Sequence, residues 1–374
     1  MLEIDEKVER LARLATAQGL GGILLNTQPN FSWLTGGRSN RIDGSRVNGS
    51  GSLFVSARGE RFVIANNIEM PRLQDEALAG LDFTPCEYPW TDEQADPGTP
   101  IAIAAGAIGG ERSSAIGCDS LLPGATPIDA DIASTRALLT AAEAARYRVL
   151  GRDLGRVAGE VCRGLVPDLE EFDIAQRVAA AVAGIGARAI VTLVAADERL
   201  ARYRHPAPTA ARWRQTVMVV VCAQRDGLVA ALSRIVVAGG IPATLETRTR
   251  ATAGVFERLL AATEAGATGA QLFSVAAQAY AGAGFAREET RHHQGGATGY
   301  RSREWIAHPA SREIVQAQQA FAWNPSITGT KVEETALLTP AGIEVITASP
   351  DWPSLPMCVR GQSLSAPGVL AISM

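Results

Sequence analysis

Residues 3–18 place Ile4, Val8, Leu11, Leu14 and Ala15 at three- and four-residue spacing, which predicts an amphipathic helix. The short apolar run GGILLN (21–26) predicts a buried strand. SLFVSA and RFVIAN, joined by ARGE, predict two strands of a hairpin. Between the first strand and that hairpin lies a stretch rich in Gly, Ser and Asn. The pattern at 66–80 predicts a helix, and 100–108 (PIAIAAGAI) and 114–118 (SAIGC) predict further strands. These elements alternate, so they describe an α/β domain over 1–135.

From 136 onward the order changes. TAAEAARYRVLGRDLGRVAGEVCRGL and LEEFDIAQRVAAAVAGIG keep helical spacing. AIVTLVA, TVMVVVCA and LVAALSRIVVA follow as strands. Two more helices are predicted in RTRATAGVFERLLAATEAG and GAQLFSVAAQAYAGAG, and the remainder is Gly-rich and then strand-rich. Helices followed by antiparallel-looking strands predict an α+β domain over 136–374.

Composition narrows the functional classes. Hydrophobic residues are 47% of the chain and aromatics only 5%, so the core must be built from Ala, Val, Leu and Ile. The net charge of −4 and the lack of a basic run argue against a nucleic-acid partner. Cys86, Cys118, Cys162, Cys222 and Cys358 are widely spaced and odd in number, which fits a reduced, cytoplasmic setting better than a disulfide framework. The N-terminus carries acids early, unlike a signal peptide, and no window approaches the roughly 20 apolar residues of a membrane span. The expectation is a cytoplasmic protein without a membrane partner.

Four segments, in this order, resemble the pita-bread superfamily of prolidase, aminopeptidase P and creatinase. RYRHPAPT (202–209) resembles the segment whose His precedes the first metal-binding strand. VMVVVCAQRDGLVAALSRIVVAG (217–239) resembles the strand pair D-x-G-x(4)-G-Y-x-x-D-x-T-R-T. HHQGGATGY (292–300) is similar to H-x-x-G-H-G-I-G, and 319–342 to the ending F-x-x-E-P-G … E-D-T-x-L-V-T-x-x-G. NFSWLTGG (30–37) also resembles a segment of the family's N-terminal domain. The resemblance implies an α/β N-terminal domain followed by an α+β pita-bread domain, and a homodimer.

The family's metalloenzymes hold two divalent ions with two Asp, one His and two Glu, one ion pair serving to activate a bridging hydroxide and clamp the substrate. Aligned on Gly227, the second Asp falls on Ala231 and the first within 219–222, where no carboxylate stands. Aligned on Gly295, the His falls on Gly296. The first Glu falls on Asn324, and only the last remains, as Glu333. Apolar side chains do not ligate such cations, so no metal and no other cofactor is expected.

The resemblance to creatinase, the metal-free branch, makes His205 a candidate proton shuttle, since imidazole titrates near neutrality. His292 aligns with the first His of the Gly-rich motif and is the second candidate. His293 reads rather as structural. Gln294 could bind substrate beside them, and the glycines of GGATG could let backbone approach a ligand. Arg303 stands where the family has a His and could grip a carboxylate or phosphate. Asn324 offers a donor and an acceptor without charge. Glu333 reads either as an acid/base or clamp for a cationic group, or as the ion-pair partner of Arg234. Arg41, in the Gly/Ser/Asn-rich loop of the first domain, could reach a neighbouring copy's pocket. Trp33 and Trp323 read as core. The expected function is metal-independent hydrolysis, or elimination, at a C–N bond of a small polar molecule or short peptide. The rival is a non-catalytic module binding a peptide or small ligand. A retained set of His205, His292, Gln294, Asn324 and Glu333 favours the enzyme, because burying such groups without purpose is costly.

Overall fold

The computed structural model describes residues 3–109 and 115–373. The chain forms two compact units, Met1–Leu138 and Leu139–Met374.

In the first unit, α1 (Glu3–Ala17) buries Ile4, Val8, Leu11 and Ala15, the stripe its spacing predicts. It leads into β1 (Gly22–Thr27), α2 (Gln28–Leu34), β2 (Asn48–Ser56) and β3 (Arg61–Asn66). Then come α3 (Met70–Arg72), β4 (Thr84–Tyr88), α4 (Trp90–Ala95), α5 (Thr99–Ala107), β5 (Ile116–Cys118), β6 (Ala125–Pro127) and α6 (Asp129–Arg136). The strands form one sheet in the order β4-β3-β2-β1-β5-β6. β2 and β3 make the expected antiparallel hairpin, with Val55 opposite Arg61. NFSWLTGG supplies most of helix α2, whose second residue is Pro29. One segment differs from expectation. Segment 100–108 is the helix α5, not a strand: Pro100 sits in its first turn, where proline is pre-organised, and its alanines favour helix. Ser114 of the predicted strand 114–118 lies outside the described residues.

The second unit opens with α7 (Ala141–Arg163). A capping box starts it: Glu143 N–H donates to Thr140 Oγ1 at 3.2 Å, and Thr140 N–H to Glu143 Oε2 at 2.7 Å. α8 (Glu171–Gly184), β7 (Arg188–Ala196), α9 (Arg199–Arg202), β8 (Thr216–Arg225) and β9 (Leu228–Ala238) follow. After α10 (Ala243–Ala262), α11 (Gly269–Gly282) and a short 3₁₀ helix (Glu288–Thr290), the remaining regular elements are strands: β10 (Gly295–Thr298), β11 (Ala320–Trp323), β12 (Ser326–Ile327), β13 (Thr330–Lys331), β14 (Glu334–Thr339) and β15 (Gly342–Val345). β16 (Ser354–Val359), β17 (Gln362–Pro367) and β18 (Val369–Ile372) end it.

Two four-stranded sheets organise this unit, β18-β9-β8-β7 and β10-β11-β14-β15. They meet where Ala231 N–H donates to Thr335 Oγ1 at 2.8 Å and Ser233 N–H donates to the Glu333 carbonyl at 3.1 Å. Behind the second sheet, α10 and α11 close a core with Phe256, Leu259, Leu272, Tyr280, Phe321 and Trp323. The α/β unit followed by an α+β unit is the architecture the sequence pattern predicts. Among the described residues no helix is long and apolar enough to cross a membrane.

Candidate functional site

A cavity of about 260 Å³ opens beside the junction of the two sheets in the second unit. Strand alternation builds its apolar side, with Val191 and Leu193 from β7 and Val220 and Cys222 from β8. Its polar side comes from His205, His293, Arg303, Asn324, Lys331 and Glu333. A larger groove, about 670 Å³, runs along α10 and α11, but its charged lining is Glu257 and Arg258 and it gathers no histidine. The smaller cavity is therefore the candidate site.

Glu333 is fully buried, and two cations hold it. Arg303 Nη2 lies 3.1 Å from Oε1 and Lys331 Nζ lies 2.9 Å from Oε2. Burial pushes the carboxyl's pKa up, but the attraction of Lys331 and Arg303 outweighs it, and the net shift is downward. Glu333 is thus an ionised anchor with no proton to give at neutral pH, which corrects its reading as an acid. The alternative reading, a pair with Arg234, is also corrected. Arg234 Nη1 lies 2.9 Å from Glu334 instead. Two cations against one carboxylate leave the cavity wall with a net positive charge, which favours an anionic ligand group.

The histidines meet at one edge of this cavity. His205 lies in the loop between α9 and β8, exposed along one side, and His292 and His293 lie in the turn before β10. His205 Nε2 and His292 Nε2 are 3.1 Å apart. The rings of His292 and His293 stack at 4.3 Å between centroids. Burial lowers the pKa of His292 to about 2, with Lys331 and the other imidazoles adding to it. Burial, then Arg303 and Lys331, lower that of His293 to about 4. His205 shifts the same way through partial burial and Lys331. All three are neutral near pH 7, so His205 and His292 can share one hydrogen bond, one ring donating and the other accepting. Burial and the nearby Glu333 push the Cys222 thiol up to about 11, so it stays protonated.

Arg303 Nη1 donates to the Ser302 carbonyl at 2.6 Å. Its Nε has no partner among the described residues, and neither has Asn324 Oδ1. The Asn324 N–H donates to the Gln294 carbonyl at 2.9 Å. Gln294 itself belongs to the framework. Its Oε1 accepts from Tyr280 Oη at 2.7 Å and its Nε2 donates to the His292 carbonyl, so the amide is committed inside the turn and not to a ligand. Arg41 lies in the first unit, in an exposed loop, with its N–H donating to Ser39 Oγ at 3.1 Å. Trp33 and Trp323 are fully buried core residues.

The glycines of GGATG do approach backbone closely, but the neighbour is the protein itself. A Cβ on Gly295 would meet the Ala322 carbonyl oxygen at 2.1 Å, and one on Gly296 would meet the Trp305 carbonyl oxygen at 2.1 Å. Of residues 219–222, strand alternation turns Val220 and Cys222 toward the cavity. Ala231, opposite Cys222 in the β8–β9 ladder, is buried.

Sequence reasoning missed Lys331 and set aside His293. Lys331 stands two residues before Glu333, the offset that puts extended-chain side chains on one face. His293 gave no such signal, because in a turn neighbouring side chains need not diverge.

Comparison with known proteins agrees with this architecture. Residues 145–340 match the model of metallopeptidase family M24. No curated protein matches the sequence. Among solved structures, dipeptidase PepE from Mycobacterium ulcerans superposes with a TM-score of 0.78 at 19% identity, over 100% of this chain and 98% of that one. The Xaa-Pro dipeptidase from Bacillus anthracis gives 0.76 at 15%, over 99% and 100%. The N-terminal domain of FACT complex subunit SPT16 from Cicer arietinum (chickpea) gives 0.68 at 10%, over 92% and 96%. At these identities the likeness is one of fold.

Proposed function

The chain belongs to metallopeptidase family M24, and from that premise we propose that it is a hydrolase that has given up the dinuclear metal site and cleaves a C–N bond of a small, anionic, polar substrate. The carrying observation is the pair of unpartnered polar atoms in the cavity wall, the Arg303 Nε donor and the Asn324 Oδ1 acceptor. A buried polar group without a partner is costly, so such a pair calls for a ligand with an acceptor and an N–H of its own. A carboxylate and an amide, amidine or guanidine supply both.

The residues present do not fit the family's two ions. Val220, Cys222, Ala231 and Gly296 offer no carboxylate or imidazole, and Gly296 has no room for a side chain. Glu333, the remaining position, is already neutralised by Arg303 and Lys331.

In the mechanism that follows, Arg303 and Lys331, anchored by Glu333, hold the substrate's anionic end. Asn324 Oδ1 accepts from its N–H and orients the scissile bond. His205, neutral at working pH, takes a proton from a water molecule, and the hydroxide so formed adds to the carbon. Collapse breaks the C–N bond as the proton passes to the leaving nitrogen. His292, in hydrogen-bond contact with His205, fixes that ring and stabilises it while it carries the proton. The reading extends to a homodimer, the commonest closed assembly, with Arg41 available to a neighbouring copy. A 39.3 kDa species in light scattering would remove that part.

The test is His205→Asn, assayed with guanidino, amidino and N-acyl carboxylates that raise the melting temperature of the wild type. Asn keeps a polar group of similar reach, so binding should persist while turnover falls by about a hundred- to ten-thousand-fold. A ligand that binds both proteins and is recovered unchanged from the wild type refutes the hydrolase.

A further inference from the structure

Three of the chain's four histidines converge, although they come from two separate segments. One nitrogen each of His205, His292 and His293 lies within 4.8 Å of the other two. The 3.1 Å between His205 Nε2 and His292 Nε2 is close to the roughly 3.3 Å that separates two nitrogens around a tetrahedral zinc ion with Zn–N bonds of about 2.0–2.1 Å. His292 is 8% exposed, and its Nδ1 and that of His293 have no partner among the described residues. The fourth histidine, His308, is exposed, and its Nδ1 accepts from the Ala310 N–H at 3.2 Å.

We infer that His205, His292 and His293 form a site for one borderline divalent transition-metal ion of the zinc class, and that its capture switches the cavity off. The site differs from the family's dinuclear one in kind, being all nitrogen and without a carboxylate. Imidazole selects Zn²⁺, Co²⁺, Ni²⁺ and Cu²⁺ over Mg²⁺, Ca²⁺ and Mn²⁺, which prefer oxygen. The widest spacing exceeds that of a tetrahedral ion, so one ring must move in. His205 is the ring free to do so, since it is exposed and sits in a loop. Arg303 and Lys331 oppose a bare dication but favour an anion, so an anion such as chloride completes the fourth position. Bound metal occupies the His205 lone pair and takes the base out of proton transfer. That last consequence rests on the hydrolase reading above, whereas the binding site does not.

The probe is zinc itself, with Co²⁺ as its coloured substitute, on full-length protein freed of metal by a chelator and carrying no histidine tag. Equilibrium dialysis should show saturable uptake of one Zn²⁺ per chain, and Co²⁺ should give the visible absorption of a four-coordinate site. His205→Asn and His293→Gln should each weaken uptake by more than about tenfold, while His308→Asn should not change it. Thermal melts report folding, and His205→Asn, an exposed position, serves if His293→Gln fails to fold. Absence of saturable uptake, or uptake that survives both variants, overturns the site. Turnover should fall in step with occupancy, and turnover that rises or holds at saturating zinc overturns the switch. A metal-free protein that turns over no compound refutes the hydrolase alone, and the dialysis result still judges the site.

Discussion

Glu333 and Glu334 are neighbours in the chain, both fully buried, and each answers to different cations. Glu333 faces the cavity between Arg303 and Lys331. Glu334 faces the opposite way, with Arg234 Nη1 at 2.9 Å and the Thr347 hydroxyl donating to it. Successive residues of an extended chain point to opposite faces, and here both faces are interior. One carboxylate therefore serves the candidate site and the other serves the scaffold behind it.

Opposite pH dependences follow. Burial raises the Glu334 pKa to about 7, with Arg234 and Thr347 only partly opposing it. Its folded state binds the proton more tightly than its unfolded state, so its contribution to stability is fully present below the ordinary value near 4.5 and is lost as pH rises through 7. Glu333 is shifted downward, so its contribution is present above the ordinary value and is lost as pH falls through its folded value. Urea unfolding at stepped pH checks both. Relative to wild type, Glu334→Gln should gain stability between about pH 4.5 and 7. The penalty of Glu333→Gln should shrink on acidification.

Removing the Glu333 charge leaves the buried Lys331 and the mostly buried Arg303 without a counter-charge. Glu333→Ala should cost about 3–5 kcal/mol at neutral pH, because the penalty is that of the stranded cations. Adding Lys331→Met should recover part of this loss. A double-mutant cycle by urea denaturation measures the coupling, and additive losses would remove the ion triad as a unit.

Gln294 offers a test that separates framework from ligand contact. Its amide joins Tyr280 to the turn carrying His292. Gln294→Ala should lower stability by about 1–3 kcal/mol, the usual cost of a stranded buried polar partner. Ligand affinity of the folded fraction should stay as in the wild type. A variant with unchanged melting temperature and weakened ligand binding would return Gln294 to the substrate.

Much of this fold is legible in the sequence because its elements are long and periodic. α1 and α7 show their buried stripes, and β8 and β9 are continuous apolar runs bounded by Asp226-Gly227. α5 is not legible, since Ala, Ile and Gly in PIAIAAGAI give almost no contrast between faces. For the site, the motif order places His205, His292, Arg303, Asn324 and Glu333 within one unit. Which cation meets which carboxylate is set by the packing of β9 against the 333–335 segment, a long-range contact that no local pattern encodes. For that reason Arg234 reads as a partner of Glu333 when its partner is Glu334. His293 and Lys331 are visible only once the turn before β10 and the β12–β13 hairpin fold onto the same cavity.

Gly296 carries the last prediction, and it tests whether backbone packing bars a side chain at the position where the proposed metal-free reading lacks the family's His. Gly296 pairs with Ala322 in the β10–β11 ladder, so it cannot move outward without breaking the sheet. On its other side, a Cβ would stand 2.1 Å from the Trp305 carbonyl oxygen and 3.0 Å from Ile306 Cα. These neighbours are backbone, so no side-chain rotation relieves the clash. Gly296→Ala should therefore destabilise by about 1–3 kcal/mol, the usual range for overpacking a filled interior, with Gly299→Ala as a comparison whose nearest neighbour is the side chain of Glu304 at 3.1 Å. Gly296→His should be worse, and it should not confer binding of a second ion even when Ala231→Asp and Asn324→Glu are added. Thermal melts give the first result, and elemental analysis after dialysis against Mn²⁺ or Co²⁺ gives the second. A stable Gly296→His, Ala231→Asp, Asn324→Glu triple variant holding two ions per chain would show that the loop at 305–306 yields, and that packing at Gly296 is no bar to a second ion.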